Sequence, residues 1–280
     1  MLFGAHVSIS GGIWNAPLRA GEIGCEVFQM FTRSPHGGPM APITDEMIDE
    51  FKENCKAAGQ KEWYVHTPYY INLASANNRI RYGSMNAIRQ ELERASQIKA
   101  KYVMTHLGSY KDLGREAGYQ KLVEGLEKVL DGYEGSARFL IEISAGTGDI
   151  IGDTFEEIAT VVHHLKLKKF GIGVCYDTQH GFASGYDIRT SEAVDATLNR
   201  FEATIGLDRL KLSHCNDSKV ELGSRKDRHE HIGDGQIGLP GFRALLSDKR
   251  VKDINFILET AGDKVEEDLD ILKDIRRTAG

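Results

Sequence analysis

Imidazole and carboxylate side chains are concentrated in one stretch of the sequence, residues 210–235. His214 ends an alternating, strand-like segment, and Asp227, His229 and His231 follow in a loop rich in glycine and charge. Neutral imidazole mixed with carboxylate is the ligand set that Zn²⁺ and similar borderline cations prefer. Such residues also occur together on ordinary protein surfaces, so a metal site here needs support from the rest of the chain.

Residues of the same two types recur near the ends of other short apolar segments. Six of them are separated by 40, 36, 35, 37 and 45 positions: His66, His106, Glu142, Asp177, His214 and Glu259. Glu142 and Glu259 interrupt strongly apolar runs, where a charge is costly unless a cation or hydrogen bonds accept it. One histidine at a strand end is more often structural than a ligand, but six such residues at one repeat indicate a shared site.

Three further candidates lie in loops. His180 follows Asp177 by three residues, and Asp227 and His229 are two apart. With the six above they make nine ligand-type residues, whereas one metal ion needs only three or four. The sequence therefore predicts more than two ions, with a carboxylate such as Glu142 shared by a pair. Spacing alone does not decide between His229 and His231.

Eight candidate strands alternate with helical patterns and would have to position these residues. The strands are predicted at residues 2–7, 25–31, 63–66, 102–106, 139–143, 171–177, 209–214 and 255–259. A capping box formed by Thr154 and Glu157 precedes an apolar stripe. The helical stripes are Ile158, Val161, Val162 and Leu165; Val194, Leu198, Phe201 and Ile205; and Ile48, Phe51 and Cys55, which stop before Gly59.

This alternation predicts an α/β fold, a single (β/α)₈ TIM barrel domain spanning residues 1–280, with a doubly wound open sheet as the alternative. All strands of such a barrel point the same way. Residues at their C-terminal ends therefore converge on one mouth, where these folds place their chemistry.

Composition limits the possible functions. A net charge of −6 argues against a protein that coats nucleic acid through bulk electrostatics, although bound divalent cations would reverse the sign locally. No apolar run approaches the ~18 residues of a membrane span, and the N-terminus lacks the pattern of a secretory signal, so we expect a cytoplasmic protein. The cysteines show no C-x-x-C spacing, which predicts buried free thiols.

Several blocks of the sequence resemble the signature motifs of endonuclease IV, from Gly4 to Glu259. The blocks are His66 with Tyr69 and 71–73, residues 105–109, residues 141–142 with 145–146, residues 175–180, residues 214–219 with 223–225 and 227–229, and residues 257–260. The resemblance implies a zinc-dependent barrel enzyme of DNA repair. It would cut double-stranded DNA 5' to an abasic site and leave a 3'-hydroxyl and a 5'-deoxyribose phosphate. No membrane and no protein partner are implied, and we expect a monomer.

The same resemblance implies a ligand set for three zinc ions, with Mn²⁺ as an alternative for part of the site. His66, His106 and Glu142 would hold the first ion. Glu142 would bridge to a second, completed by Asp177, His214 and Glu259, and the third would be held by His180, Asp227 and His229. His231 has no counterpart among the family's ligands. We expect Glu142 and Glu259 to be catalytic as well, by orienting the attacking hydroxide.

The DNA contacts are predicted less directly. Tyr69 and Tyr70 would fill the space that a flipped abasic sugar leaves, and Lys219, Arg225 and Arg228 would hold backbone phosphates. Two departures from the family concern lesion recognition. Segment 32–40 places His36 and Gly38 where the family usually has an Arg and a Trp, and Tyr70 stands where an aliphatic residue is common.

A rival function is a metal-dependent sugar isomerase or epimerase on the same kind of barrel. Glu142, Asp177, His214 and Glu259 alone would make the single-metal site that such an enzyme uses. The other five candidate ligands favour the nuclease, because an isomerase would not need them.

Overall fold

The computed structural model describes residues 1–38 and 40–278 and has a closed barrel of eight parallel strands at its centre. Pro39, within the atypical segment 32–40, and residues 279–280 of the predicted domain lie outside the described residues. Around the barrel the strands lie in the order Phe3–His6, Phe256–Leu258, Leu210–His214, Gly173–Asp177, Arg138–Glu142, Tyr102–Thr105, Trp63–His66 and Val27–Met30. The strands are β1 (Phe3–His6), β2 (Val27–Met30), β3 (Trp63–His66), β4 (Tyr102–Thr105), β5 (Arg138–Glu142), β6 (Gly173–Asp177), β7 (Leu210–His214) and β10 (Phe256–Leu258).

Barrel closure confirms the predicted (β/α)₈ fold and rules out the open sheet, because β1 pairs in parallel with both β2 and β10. Each strand lies within two residues of its predicted bounds at both ends. A separate antiparallel pair, β8 (Asp217–Ser218) and β9 (His229–Glu230), lies beyond the end of β7.

Helices surround the barrel, and several of them begin at a residue whose side chain caps the first turn. Thr44, Asn77, Thr154 and Thr190 each accept a hydrogen bond from the first turn of the helix that follows. None of the helices in the described ranges is long and apolar enough to cross a membrane. The helices are α1 (Ala16–Glu22), α2 (Asp45–Ala57), α3 (Asn78–Gln97), α4 (Arg115–Leu130), α5 (Phe155–Val162), α6 (Thr178–Ala183), α7 (Ser191–Thr204), α8 (Gly238–Ser247) and α9 (Val265–Thr278).

The α5 prediction needs two corrections. The apolar stripe was expected to reach Leu165, but α5 ends at Val162 and Leu165 is 79% exposed, because the chain turns at His164, whose N–H donates to the Val161 carbonyl. Only half of the capping box forms. The Glu157 carboxylate accepts from the Gly152 N–H at 2.9 Å instead of reaching back to Thr154.

Apolar side chains fill both the barrel interior and the layer between strands and helices. The interior cluster includes Tyr64, Met104 and Leu212, and the outer layer includes the predicted stripe of α7. All four cysteines are buried and free, as predicted. Because apolar residues occupy the lower interior, the polar residues of the strands are left at the C-terminal mouth.

Helix α9 closes the structure against β1 through one charged contact. Arg276 donates to both oxygens of Glu26, at 2.8 and 3.1 Å, and Glu26 also accepts from the Phe3 N–H at 3.0 Å. Burial opposes ionisation of Glu26, but these hydrogen bonds outweigh it and lower its pKa. The contact joins the two ends of the described chain, so it contributes to barrel closure.

Glu26→Gln should lower the free energy of unfolding at pH 7 by about 1 kcal/mol or less, since the contact is partly exposed. A carboxyl with a lowered folded-state pKa stabilises the fold above its unfolded pKa and loses that contribution as pH falls through the folded value. The difference between wild type and variant should therefore shrink from pH 7 to pH 3. Urea unfolding of both proteins in chelator measures it, and a difference independent of pH would contradict the prediction.

Candidate metal centre

All nine predicted ligand residues lie at the C-terminal mouth of the barrel, around a cavity of about 440 Å³. The six strand-end residues come from β3, β5, β6, β7 and the residues directly after β4 and β10. Parallel strand direction brings them together although they span most of the chain. Six of the nine line the cavity itself: His66, His106, His180, Asp227, His229 and Glu259.

Glu142 occupies the centre of this group and is fully buried. Its Oε2 lies 2.9 Å from His66 Nε2 and 3.5 Å from His106 Nε2. Its Oε1 lies 3.0 Å from His214 Nδ1 and 3.3 Å from His180 Nδ1. Each carboxylate oxygen therefore faces a different pair of imidazoles, which is the arrangement expected of a carboxylate shared by two sites.

The potential ligand atoms form three overlapping groups, each with atoms within 4.8 Å of one another. The third group contains Asp177 where Asp227 was expected. Asp227 still faces this group, with its oxygens 3.5 Å from His180 Nε2 and 3.5 Å from His229 Nε2, but its side chain is 59% exposed. The groups are His66, His106 and Glu142; Glu142, Asp177, His214 and Glu259; and Asp177, His180 and His229.

Backbone carbonyls fix the orientation of two of the rings. His66 Nδ1 lies 2.6 Å from the Thr67 carbonyl and His180 Nδ1 lies 3.0 Å from the Ile143 carbonyl. A carbonyl can only accept, so each Nδ1 carries a proton and each Nε2 is turned toward the neighbouring carboxylates, where it can bind a cation once it has lost its own proton. Such supporting hydrogen bonds commonly set the tautomer of metal-binding histidines.

Gln29 performs the same task for His214 and was missed in the sequence. Its Oε1 accepts from His214 Nε2 at 2.8 Å, and its Nε2 donates to Glu259 Oε1 at 2.7 Å and to His6 Nδ1 at 2.9 Å. His214 Nδ1 is therefore turned toward Glu142 Oε1, which lies 3.0 Å away. Gln29 is fully buried in the apolar strand β2. A polar residue in an apolar strand was the signal used for Glu142, and it applied equally here.

Two hydrogen bonds of Asn216 position Asp177 and Glu259 at the mouth. Asn216 donates through Nδ2 to Asp177 Oδ2 at 2.8 Å and accepts the Glu259 N–H at 2.8 Å. The other oxygen of Asp177 accepts the His180 N–H at 2.8 Å and so caps α6. Asp177 and His180 are thereby fixed relative to each other by a helix start.

The side chain of Asp217 holds the loop that carries Asp227 and His229. This buried carboxylate accepts hydrogen bonds from five backbone N–H groups, at 2.7 to 3.1 Å: Ser218, Gly233, Gly235, Ile237 and Gly238. Gly235 approaches so closely that a Cβ there would lie 2.5 Å from Asp217 Oδ1, so only glycine fits. The two ends of the loop are held at one point.

His231 faces away from the cavity. Its Nδ1 lies 2.7 Å from Asp268 Oδ2 and its Nε2 lies 3.3 Å from Asp263 Oδ1. Asp268 also accepts the Ile232 N–H and the Thr260 hydroxyl. The geometry therefore favours His229, and His231 ties the loop to α9 instead.

The electrostatics of the site follow from four carboxylates packed among imidazoles. Burial alone would lower the pKa of His180 and His214, but Asp177, Asp227 and Glu142 outweigh it at His180, and Cys175 with Glu259 and Glu142 outweigh it at His214, so both pKa values lie well above the usual value. Burial opposes ionisation of Glu142, yet His106 and His214 hold its pKa well below the usual range. Without cations, protonated imidazoles balance the acidic groups, so cation binding would have to displace protons.

The predicted DNA contacts differ in their surroundings. Tyr69 lines the cavity, is 67% exposed and has the His36 ring 6.1 Å away, and Tyr70 beside it is 41% exposed. Lys219 lies 3.9 Å from Glu230. Arg225 is engaged, since its guanidinium donates to the Gly146 carbonyl and to Asp153. The exposed Arg228 donates to the carbonyl of Asp227.

Comparison with known proteins begins with the class of fold. The family model described as a xylose isomerase-like TIM barrel matches residues 18–277. A D-tagatose 3-epimerase-like protein has a similar fold, with a TM-score of 0.77 over all of this chain and 98% of its own, at only 19% identity.

More specific matches are found to endonucleases. The probable endonuclease 4 of Halothermothrix orenii is 38% identical over 261 residues, 93% of each chain. The crystal structure of endonuclease IV from Thermus thermophilus superimposes with a TM-score of 0.87 and 31% identity over 99% of this chain and all of that one. The chain belongs to the endonuclease IV family.

Gln29→Leu should weaken zinc binding by about 10- to 100-fold, because loss of the hydrogen bond to His214 frees the ring that faces Glu142 and Glu259. Competition with a fluorescent zinc chelator measures the affinity. Gln60→Leu is the matched control, since Gln60 is also buried but bonds to the Cys25 carbonyl, away from the cavity. Unchanged affinity in Gln29→Leu would exclude a positioning role.

Proposed function

We propose that this protein is a DNA-repair endonuclease that hydrolyses the phosphodiester 5' to an abasic site with the help of three zinc ions. The products would be a 3'-hydroxyl and a 5'-deoxyribose phosphate. One observation carries the proposal: nine imidazole and carboxylate side chains face one another at a single open mouth. Membership of the endonuclease IV family supports the same reaction.

The donor chemistry of the mouth fits zinc. Glu142 and Asp177 are fully buried carboxylates, and such groups are costly without cations beside them. The oriented imidazoles turn a ring nitrogen toward the carboxylates, and deprotonated imidazole with carboxylate is a ligand set that zinc prefers. We assign His66, His106 and Glu142 to one ion, and Glu142, Asp177, His214 and Glu259 to a second. The third would be held by His180, Asp227 and His229, with Asp177 close enough to be shared.

Bound zinc would lower the pKa of water and neutralise charge on the phosphate and on the leaving oxygen. The side chains then have to place water and DNA. Glu259 lines the cavity and is held by Gln29 and Asn216, so its carboxylate can accept a hydrogen bond from the attacking water. Glu142 is the second catalytic candidate, since its two oxygens set the separation of the groups around it.

Recognition of the lesion would depend on three neighbouring rings, Tyr69, Tyr70 and His36, which we call the aromatic rim. Tyr69 packs edge-on against Phe31 at 5.3 Å between ring centroids, which supports its ring while leaving most of it exposed. A supported, exposed ring can stack where a base is missing. Next to it, His36 would take the place of the family's usual Arg and Tyr70 that of an aliphatic wedge. Lys219, Arg225 and Arg228 remain candidates for phosphate contacts, although Arg225 would first have to leave Asp153.

A sugar isomerase or epimerase is the second candidate, because such enzymes share the fold. A single-metal isomerase would use only the group of Glu142, Asp177, His214 and Glu259. In such an enzyme His180 and His229, which are buried or half-buried beside Asp177, would have no function. The donors outside this one group therefore favour the nuclease.

Zinc-loaded protein should nick a duplex with one tetrahydrofuran abasic analogue immediately 5' to the analogue, and prolonged chelation should abolish the activity. Denaturing gel electrophoresis locates the cut, and metal analysis should give three zinc ions per chain. An undamaged duplex of the same sequence is the control. An intact abasic duplex, together with ketose epimerisation and one metal per chain, would establish the rival function.

His229→Ala should lose about one zinc ion per chain and most of the incision activity, because it removes one imidazole of the third group. His231→Ala should keep both zinc content and most activity, since His231 bonds to Asp268 and Asp263 instead. Metal analysis and initial incision rates compare the two variants, which differ in the position of one ring. The reverse pattern would refute the assignment of this loop.

A further inference from the structure

A second cavity opens on the outer side of the aromatic rim and has a volume of about 440 Å³. It lies against α3, and we call it the α3 pocket. The lining residues that matter here are Arg33, Tyr70, Arg79, Ile80, Asn86 and Gln90. None of these has a place in the metal centre, so the pocket is a separate feature of the same face.

One wall of the α3 pocket offers a surface for stacking. Tyr70 is 41% exposed and its ring lies against Gly37, where an added Cβ would be 3.6 Å from Tyr70 Cε1. Gly37 has a φ of +92°, a conformation that side-chain-bearing residues rarely adopt. Ile80, 46% exposed, adds a second apolar surface. An aromatic ring supported from behind and open in front can stack with a planar, unpaired base.

The charge of the α3 pocket is positive. Two guanidinium groups line it, those of Arg33 and Arg79, and no acidic side chain in the described ranges does. Beneath it, Arg33 bonds to the buried Glu91, while Arg94 donates to Thr32, which itself donates to Glu91. Arg33 is therefore paired with Glu91 and its side chain is only 9% exposed, whereas Arg79 is exposed and supplies the positive charge that is open to a ligand. This charge would attract the phosphate of a nucleotide.

Amide groups complete the pocket. Gln90 accepts a hydrogen bond from Arg33 at 3.0 Å through Oε1, which turns its NH₂ group away from Arg33. Asn86 lies one helical turn earlier on α3 and lines the same cavity. Side-chain amides can donate to and accept from the edges of bases. The pocket thus combines a stacking ring, amides and cationic groups, the three contacts that a nucleotide needs.

The α3 pocket adjoins the metal centre, because consecutive residues line the two cavities. Tyr69 lines the metal cavity and the next residue, Tyr70, lines the α3 pocket. We propose that the α3 pocket binds the unpaired nucleotide that stands opposite the abasic site. This inference rests on the proposed function, because an abasic site leaves the opposite base without a partner. Moving such an unpaired base out of the stack costs less free energy than moving a paired one.

A double-mutant cycle tests the α3 pocket. Two duplexes carry a tetrahydrofuran residue whose 5' linkage is a methylphosphonate, which resists hydrolysis; one has adenine opposite and the other a second tetrahydrofuran. Fluorescence anisotropy gives the affinity of zinc-loaded protein for each. Tyr70→Ala and Arg79→Ala should reduce the preference for the adenine duplex by about fivefold or more, the size expected for loss of a stacked base.

Tyr82→Ala is the matched control, since Tyr82 is an exposed tyrosine of the same helix that lies outside the pocket. It should keep the wild-type preference. Equal preference in wild type and all variants would overturn the α3 pocket. Incision of an ordinary abasic duplex by the wild type tests the proposed function separately. Incision with no variant effect rejects the pocket alone, and a variant effect without incision rejects the nuclease function while retaining the pocket as a nucleotide site.

Discussion

The buried carboxylate of Glu142 is the constraint on which the rest of the site depends. It lies where the apolar interior of the barrel ends, and four imidazoles face its two oxygens. A charge at this depth is tolerated only with cationic partners, either protonated histidines or metal ions. The residues around it therefore have to be supplied by neighbouring strands and held in fixed orientations. Gln29, Asn216 and two backbone carbonyls do this without contributing a ligand atom of their own.

The barrel strands and the loops have different roles in a nuclease of this kind. Strands and the residues directly after them position six of the donor groups, while the loops carry the aromatic and cationic side chains that would contact DNA. An overall negative protein can bind a polyanion in this way, because positive charge is needed only at the mouth and the adjoining α3 pocket.

Much of this arrangement could be predicted from the sequence. The repeat of about one βα unit between donor residues identified the barrel and the six strand-end positions, because parallel direction alone determines where strand ends meet. Sequence distance could not reveal that Asp177 lies beside His229, or that His231 bonds to Asp268, since those contacts depend on how a long loop folds. The prediction that the apolar stripe of α5 reaches Leu165 was wrong for a similar reason, because apolar periodicity does not show where a helix ends. The position of Gln29 in an apolar strand could have indicated its role in orienting His214, but a search for metal ligands omits glutamine, which is rarely a ligand.

Asp217 has a consequence for how this enzyme could be altered. By gathering five backbone N–H groups it fastens both ends of the loop without a disulfide or an extra ion. Residues 219–226, between those ends, contribute no donor atom to the three metal groups. Lengthening a loop between fixed ends costs little conformational entropy. Directed evolution could therefore insert or exchange residues in this stretch to change which damaged DNA is accepted, with the hydrolytic apparatus left intact.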